Sequence, residues 1–170
     1  MIIPRSPAFK DPKLRPAPAL NQANWGVALH FLDTIDATRL LVAIRTLYPH
    51  DGLDDPVYRR VVAVFDRLAT QSPQAAQSLD QFGAALEAAL PLRFVDRSEG
   101  FRVQALKSIE HTPAFRYVQR TAVRHLYDDL EVWAAFGYEG ASWHLGGYAN
   151  RGFDDLDWLP PIPVSSGDTA

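Results

Sequence analysis

The chain contains no cysteine. Disulfides, iron–sulfur clusters, thiolate zinc sites and cysteine nucleophiles are all excluded by that one absence. It leaves the redox compartment open, because a protein without thiols is indifferent to it. No apolar run approaches the roughly 18 residues that cross a bilayer, so direct membrane insertion is not expected. Residues 1–20 lack the apolar stretch of a secretory signal and the paired arginines of a twin-arginine signal, Arg5 standing alone. As it stands the sequence reads as cytoplasmic, or as periplasmic if an export signal has been removed. An excess of positive charge is missing too. Lys and Arg total 17 against 20 Asp and Glu, a net charge of -3, which offers no broad electrostatic attraction for nucleic acid.

Sequence signatures of catalysis are also scarce. Gly137, Gly140, Gly146 and Gly147 lack the strand-then-helix setting that lets a glycine loop cradle phosphate. Neither a G-x-S-x-G elbow nor an H-E-x-x-H pair occurs. Asp154, Asp155 and Asp157 miss the spacing and distal glutamate of a calcium loop. No cofactor is expected in this chain.

What remains is ordinary globular material. The 170 residues are 47% hydrophobic and 22% charged, enough for one domain with a real core. Residues 1–20 carry five prolines and read as an extended arm. From 21 to 137 the apolar residues recur at helical spacing, with no strong strand alternation. Asp36 is expected to cap a first helix with Leu40, Leu41, Ile44, Leu47 and Tyr48 on one face, stopped by Pro49. Asp54, Asp55 and Pro56 open a second helix, and Ser72-Pro73 a third that ends before Pro91. Asp96 with Glu99 has capping-box spacing for a fourth, burying Phe101, Ala105, Leu106 and Ile109. Thr112-Pro113 opens the fifth and longest, expected to run to Phe136 at the centre of the bundle and to end at Gly137. The fold expected is all-α, an irregular bundle of about five helices.

Beyond Gly137 the character changes. Residues 138–164 mix glycines and prolines with Tyr138, Trp143, Tyr148, Phe153 and Trp158. Large aromatics on an irregular segment need something to bury against, either their own bundle or a partner. The partner-facing set expected here is Trp143, Tyr148, Phe153 and Trp158, with Arg151 as the charged anchor. The last six residues, from Ser165, are expected to be disordered.

The tightest polar constellation is His125 with Asp128 and Asp129, at spacings of three and four on one helix. A stand-alone metal enzyme would use these three, with Glu131, His111 or His144 supplying further ligands and Tyr127 as a general acid. The blander meaning is a surface His–Asp contact. His50-Asp51, after Pro49, reads as a turn in which side chains satisfy local backbone amides.

Two stretches resemble a known family. They are RTLYPHDGLDDPVY, Arg45 to Tyr58, and W-x3-GYEG-x2-W-x-LGGY-x3-GFDDLDWLP, Trp133 to Pro160. In order and content they look like the small, or gamma, subunit of membrane-linked FAD-dependent sugar and polyol dehydrogenases, the group related to gluconate 2-dehydrogenase subunit 3. The resemblance spans roughly residues 35–160. It implies a non-catalytic accessory subunit that stabilises, folds and often helps export a large flavoprotein of the glucose–methanol–choline type. FAD and the catalytic histidines then belong to the partner, and a multihaem cytochrome subunit completes the complex in some members. The family's twin-arginine signal is not seen here. A dedicated chaperone that releases its client after folding is the remaining alternative.

Overall fold

The computed structural model describes residues 29–89, 93–141, 143, 146 and 147. The expected N-terminal arm lies outside them, as do Tyr148, Arg151, Phe153 and Trp158. The described chain forms six α-helices: α1 (Thr34–Leu47), α2 (Asp55–Gln71), α3 (Pro73–Ala88), α4 (Glu99–Ile109), α5 (Pro113–Leu126) and α6 (Leu130–Ala135). One turn of 3-10 helix, Phe94–Asp96, precedes α4. No strand occurs among the described residues, so the all-α expectation holds.

Most helix starts follow local chemistry. Ser72 accepts the amide of Ala75 at 3.3 Å and Thr112 that of Phe115 at 3.2 Å, each with proline next in the chain. Proline loses nothing there, since the first amides of a helix have no internal acceptor. Asp54 and Pro56 open α2 as expected. Two starts differ from expectation. α1 is capped by Asp33, whose Oδ1 accepts the Asp36 amide at 2.8 Å, so Asp36 lies inside the first turn. α4 is preceded by Ser98; Asp96 closes the 3-10 turn and pairs with Arg93. Phe101, expected in the core, is instead half exposed on α4.

The largest departure is the expected long helix, which is two. α5 stops at Leu126, and Asp129 takes an extended conformation and caps α6 by accepting the Glu131 amide at 2.9 Å. A short carboxylate competes with the helical backbone for its amides, which is why aspartate favours caps over helix interiors. Leu130 consequently faces solvent, and Trp133 is only partly covered. The terminating glycine is as expected, one helix later. Gly137 has φ +70, Tyr138 N–H donates to Trp133 O at 2.8 Å and Gly137 N–H to Ala134 O at 3.3 Å. That pair of reversed bonds is the Schellman ending that glycine permits.

α2, rather than α5, is the centre of the bundle. Val57, Tyr58, Val61, Val62 and Phe65 are almost wholly buried, and α1, α3 and α5 pack against the helix. Each such side chain contributes roughly 1.5–3 kcal/mol of burial free energy. α5 gives one face to this core through Phe115, Val118, Ala122 and Leu126. Arg39 ties α1 to α3, its Nε donating to Glu87 at 2.6 Å. Gly83 makes room, since a Cβ there would lie 2.9 Å from the Arg39 guanidinium.

Candidate partner-binding surface

At one end of the bundle the α1–α2 turn meets the α5–α6 junction. Packing is built outward from Tyr58, buried in α2. Its hydroxyl donates to Tyr48 O at 2.7 Å and accepts the His50 amide at 3.3 Å, fixing the turn against the core. Arg45 lies 4.7 Å from the Tyr58 ring centroid while its Nη1 holds Asp55 at 2.7 Å. Burial pushes the Tyr58 hydroxyl above the usual 10.0. Tyr48 is raised as well, by burial and then by the neighbouring Tyr127, and its hydroxyl donates to Gln119 O at 3.1 Å.

His50 does not serve the turn through its side chain. Its imidazole Nε2 reaches across to the Tyr127 hydroxyl at 2.6 Å. A neutral imidazole with its proton on Nδ1 accepts the phenol hydrogen there. The rings of His50, Tyr127 and Phe136 meet pairwise at centroid separations of 5.0–6.2 Å, and Tyr48 touches Tyr127 edge-on at 6.1 Å. Beside them the Trp133 and Tyr138 rings pack edge-to-face at 5.0 Å, and the Trp133 indole donates to Tyr127 O. Gly140 lies in ordinary contact range of the Trp133 indole, and its φ of +93 is a backbone conformation that side-chain-bearing residues rarely adopt.

α6 carries much of this surface and is anchored by α2. Arg60 donates from Nε to Asp129 Oδ2 and from Nη2 to Glu131 Oε2, both at 2.6 Å. Only Val132 of α6 is buried. The outer side is correspondingly apolar: Tyr127, Leu130, Phe136 and Tyr138 are each 38–54% exposed, and Trp143 is 81% exposed. Five of the described chain's exposed large apolar side chains thus fall within residues 127–143. Exposed apolar side chains gathered in one stretch make it a candidate interaction surface. Trp143 is the one member of the expected partner-facing set within the described residues. His50, Tyr127 and Phe136 were missed, because only the break after Leu126 folds α6 back beside the turn.

The His125 constellation does not assemble. Asp129 is spent on Arg60 and on the α6 cap, and Glu131 is held by the same arginine. His125 is half-buried, and its pKa is lowered by burial and then by Arg124 and Arg67, with Asp128 opposing. Among the described residues no three His, Asp or Glu side chains converge as metal ligands. His144 lies outside them. No known protein family, curated protein or solved structure matches this chain.

Proposed function

We propose that this chain is a non-catalytic accessory subunit that stabilises a large FAD-dependent dehydrogenase of the glucose–methanol–choline type, acting on sugar or glycoside hydroxyls. The observation carrying the accessory role is the exposed aromatic surface around Tyr127, Phe136 and Tyr138, followed a few residues on in the chain by the 81% exposed Trp143. The class of partner rests on the two sequence blocks that resemble the gamma subunits. Both blocks contribute to this surface, the first through His50 and the second through Trp133, Tyr138 and Trp143. Aromatic side chains so placed fill pockets on a partner at little cost in conformational entropy. FAD would be held entirely by that partner.

The test is co-purification. The tagged chain is expressed with a large flavoprotein subunit from the same genome, and the eluate is read for visible flavin absorbance. A stoichiometric flavin-bearing complex is expected. Phe136→Ala and Trp143→Ala should weaken it on the order of thirtyfold each, as buried aromatic anchors do. Trp143 is 81% exposed in the lone chain, so its replacement should barely move the melting temperature, whereas Phe136→Ala also gives up ring contacts with His50 and Tyr127 and should lower it modestly. A well-folded chain that retains no flavoprotein would sink the proposal. A complex that forms and then sheds this chain would favour the chaperone alternative.

A further inference from the structure

The outward face of α5 has so far taken no part. This helix contains Arg116, Arg120, Arg124 and His125 and no carboxylate, in a chain of net charge -3. Spacing by four sets the three arginines in one row. All three are exposed, on the side away from the fully buried Val118 and Ala122. Among the described residues none of them forms an ion pair, whereas Arg39, Arg45, Arg60 and Arg93 all do. Arg116 donates only to the carbonyl of His111, at 2.9 Å. Like charges four residues apart repel one another, so the row opposes its own helix unless something outside neutralises it.

Two apolar side chains lie along the same face. Val123 and Tyr127 are 37% and 38% exposed, and Tyr127 carries the row into the aromatic surface. Guanidinium groups interleaved with apolar area are typical of the buried part of a protein interface, where arginine is favoured for its flat, weakly hydrated, multi-donor head.

We propose that the Arg116–Arg120–Arg124 row docks an acidic strip on the large partner subunit. Carboxylates there take the guanidinium groups while the same subunit covers the aromatic surface alongside. This rests on the accessory-subunit reading and adds the chemistry of the partner's face. Nucleic acid fits less well. The row spans only about 12 Å at 1.5 Å per residue, Val123 and Tyr127 put apolar surface beside it, and the rest of the chain is acidic.

The experiment uses the full chain and the purified flavoprotein subunit, with affinity and association rate measured at low and high salt. The variants are a glutamine triple, Arg116→Gln/Arg120→Gln/Arg124→Gln, and the charge-reversed triple to Glu. Glutamine keeps helix propensity, so folding of that variant, checked by circular dichroism, is expected. At low salt the glutamine triple should lose about tenfold in affinity and the glutamate triple more, largely through slower association. High salt should erase most of the difference by screening. A folded glutamine triple that binds as tightly as the parent at low salt overturns the inference. If Phe136→Ala still weakens binding in that case, the accessory-subunit reading stands without it. A parent chain that does not bind the flavoprotein at all overturns both. Loss of binding to a DNA duplex with unchanged flavoprotein affinity would reassign the row to nucleic acid.

Discussion

The carboxylate of Asp66, in α2, accepts the backbone amide of Leu32 at 2.9 Å, although the two residues are 34 apart in sequence. The same oxygen takes the Phe31 amide at 2.8 Å, and both carboxylate oxygens take that of His30, at 3.0 and 3.1 Å. Asp66 is only 4% exposed. A buried carboxylate is tolerable when several donors converge on it, and these three amides have no helix of their own to satisfy them. The segment leading to α1 is therefore held in place by a residue of the next helix.

Removing that acceptor should be costly. Asp66→Ala leaves three amides with no partner, and a loss of roughly 2–4 kcal/mol is expected from the usual penalty for orphaned buried donors. Asp66→Asn keeps the shape but offers one weaker acceptor, and should lose about half as much. Urea unfolding of the full chain measures both. Equal midpoints for the parent and Asp66→Ala would show that the clamp contributes nothing.

Arg60 should control α6 selectively. Arg60→Ala frees Asp129 and Glu131, and the six-residue helix Leu130–Ala135 is too short to persist without its anchor. Faster hydrogen exchange is expected at the Trp133 and Phe136 amides, with those of Val61 and Phe65 in α2 still protected. The global cost should be only about 1–2 kcal/mol, because the pairs are partly solvated. Uniform acceleration over the whole chain would mean instead that α6 and the core open together.

His125 should make stability fall in mild acid. Burial, Arg124 and Arg67 hold its pKa below the ordinary 6.5, with Asp128 opposing weakly. The unfolded chain then takes up a proton before the folded one does as the pH drops through the ordinary value. The stability associated with the neutral ring is full above that pH and is lost progressively down to the folded-state pKa. Urea midpoints compared at about pH 7.5 and about pH 5.5, either side of the usual histidine value, should differ less in His125→Gln than in the parent. An identical pH dependence in the two would assign the effect to other groups.

Much of the bundle was legible because its signals are local. Ser72-Pro73 and Thr112-Pro113 announce helix starts through chemistry confined to a few residues, and the structure follows them. The break after Leu126 was not legible in this way, since the apolar periodicity continues through Leu130 and Trp133. Its cause is Asp129, committed to Arg60, which is 69 residues earlier in the chain. The pair Asp128-Asp129 in mid-pattern is the available signal, but taken with His125 it reads as a surface contact, or as part of a metal site, on an unbroken helix. The His50–Tyr127 pairing, across 77 residues, had no local signature at all. Phe101 shows the opposite failure. It fits the stripe of α4, yet it lies outside the buried set of Ala105, Leu106 and Ile109.

Asp66 and Arg60 stand six residues apart on α2, about 9 Å along its axis. One moors the chain ahead of α1 and the other moors the chain behind α5. A pull exerted between the two flanking segments would thus find a short load path, crossing one central helix and leaving α3 and α4 slack. If a partner draws on one flank during assembly, the strain is borne by two hydrogen-bonded clamps before it reaches the hydrophobic interior. Mechanically, the bundle is a cleat with both lines made fast to the same post.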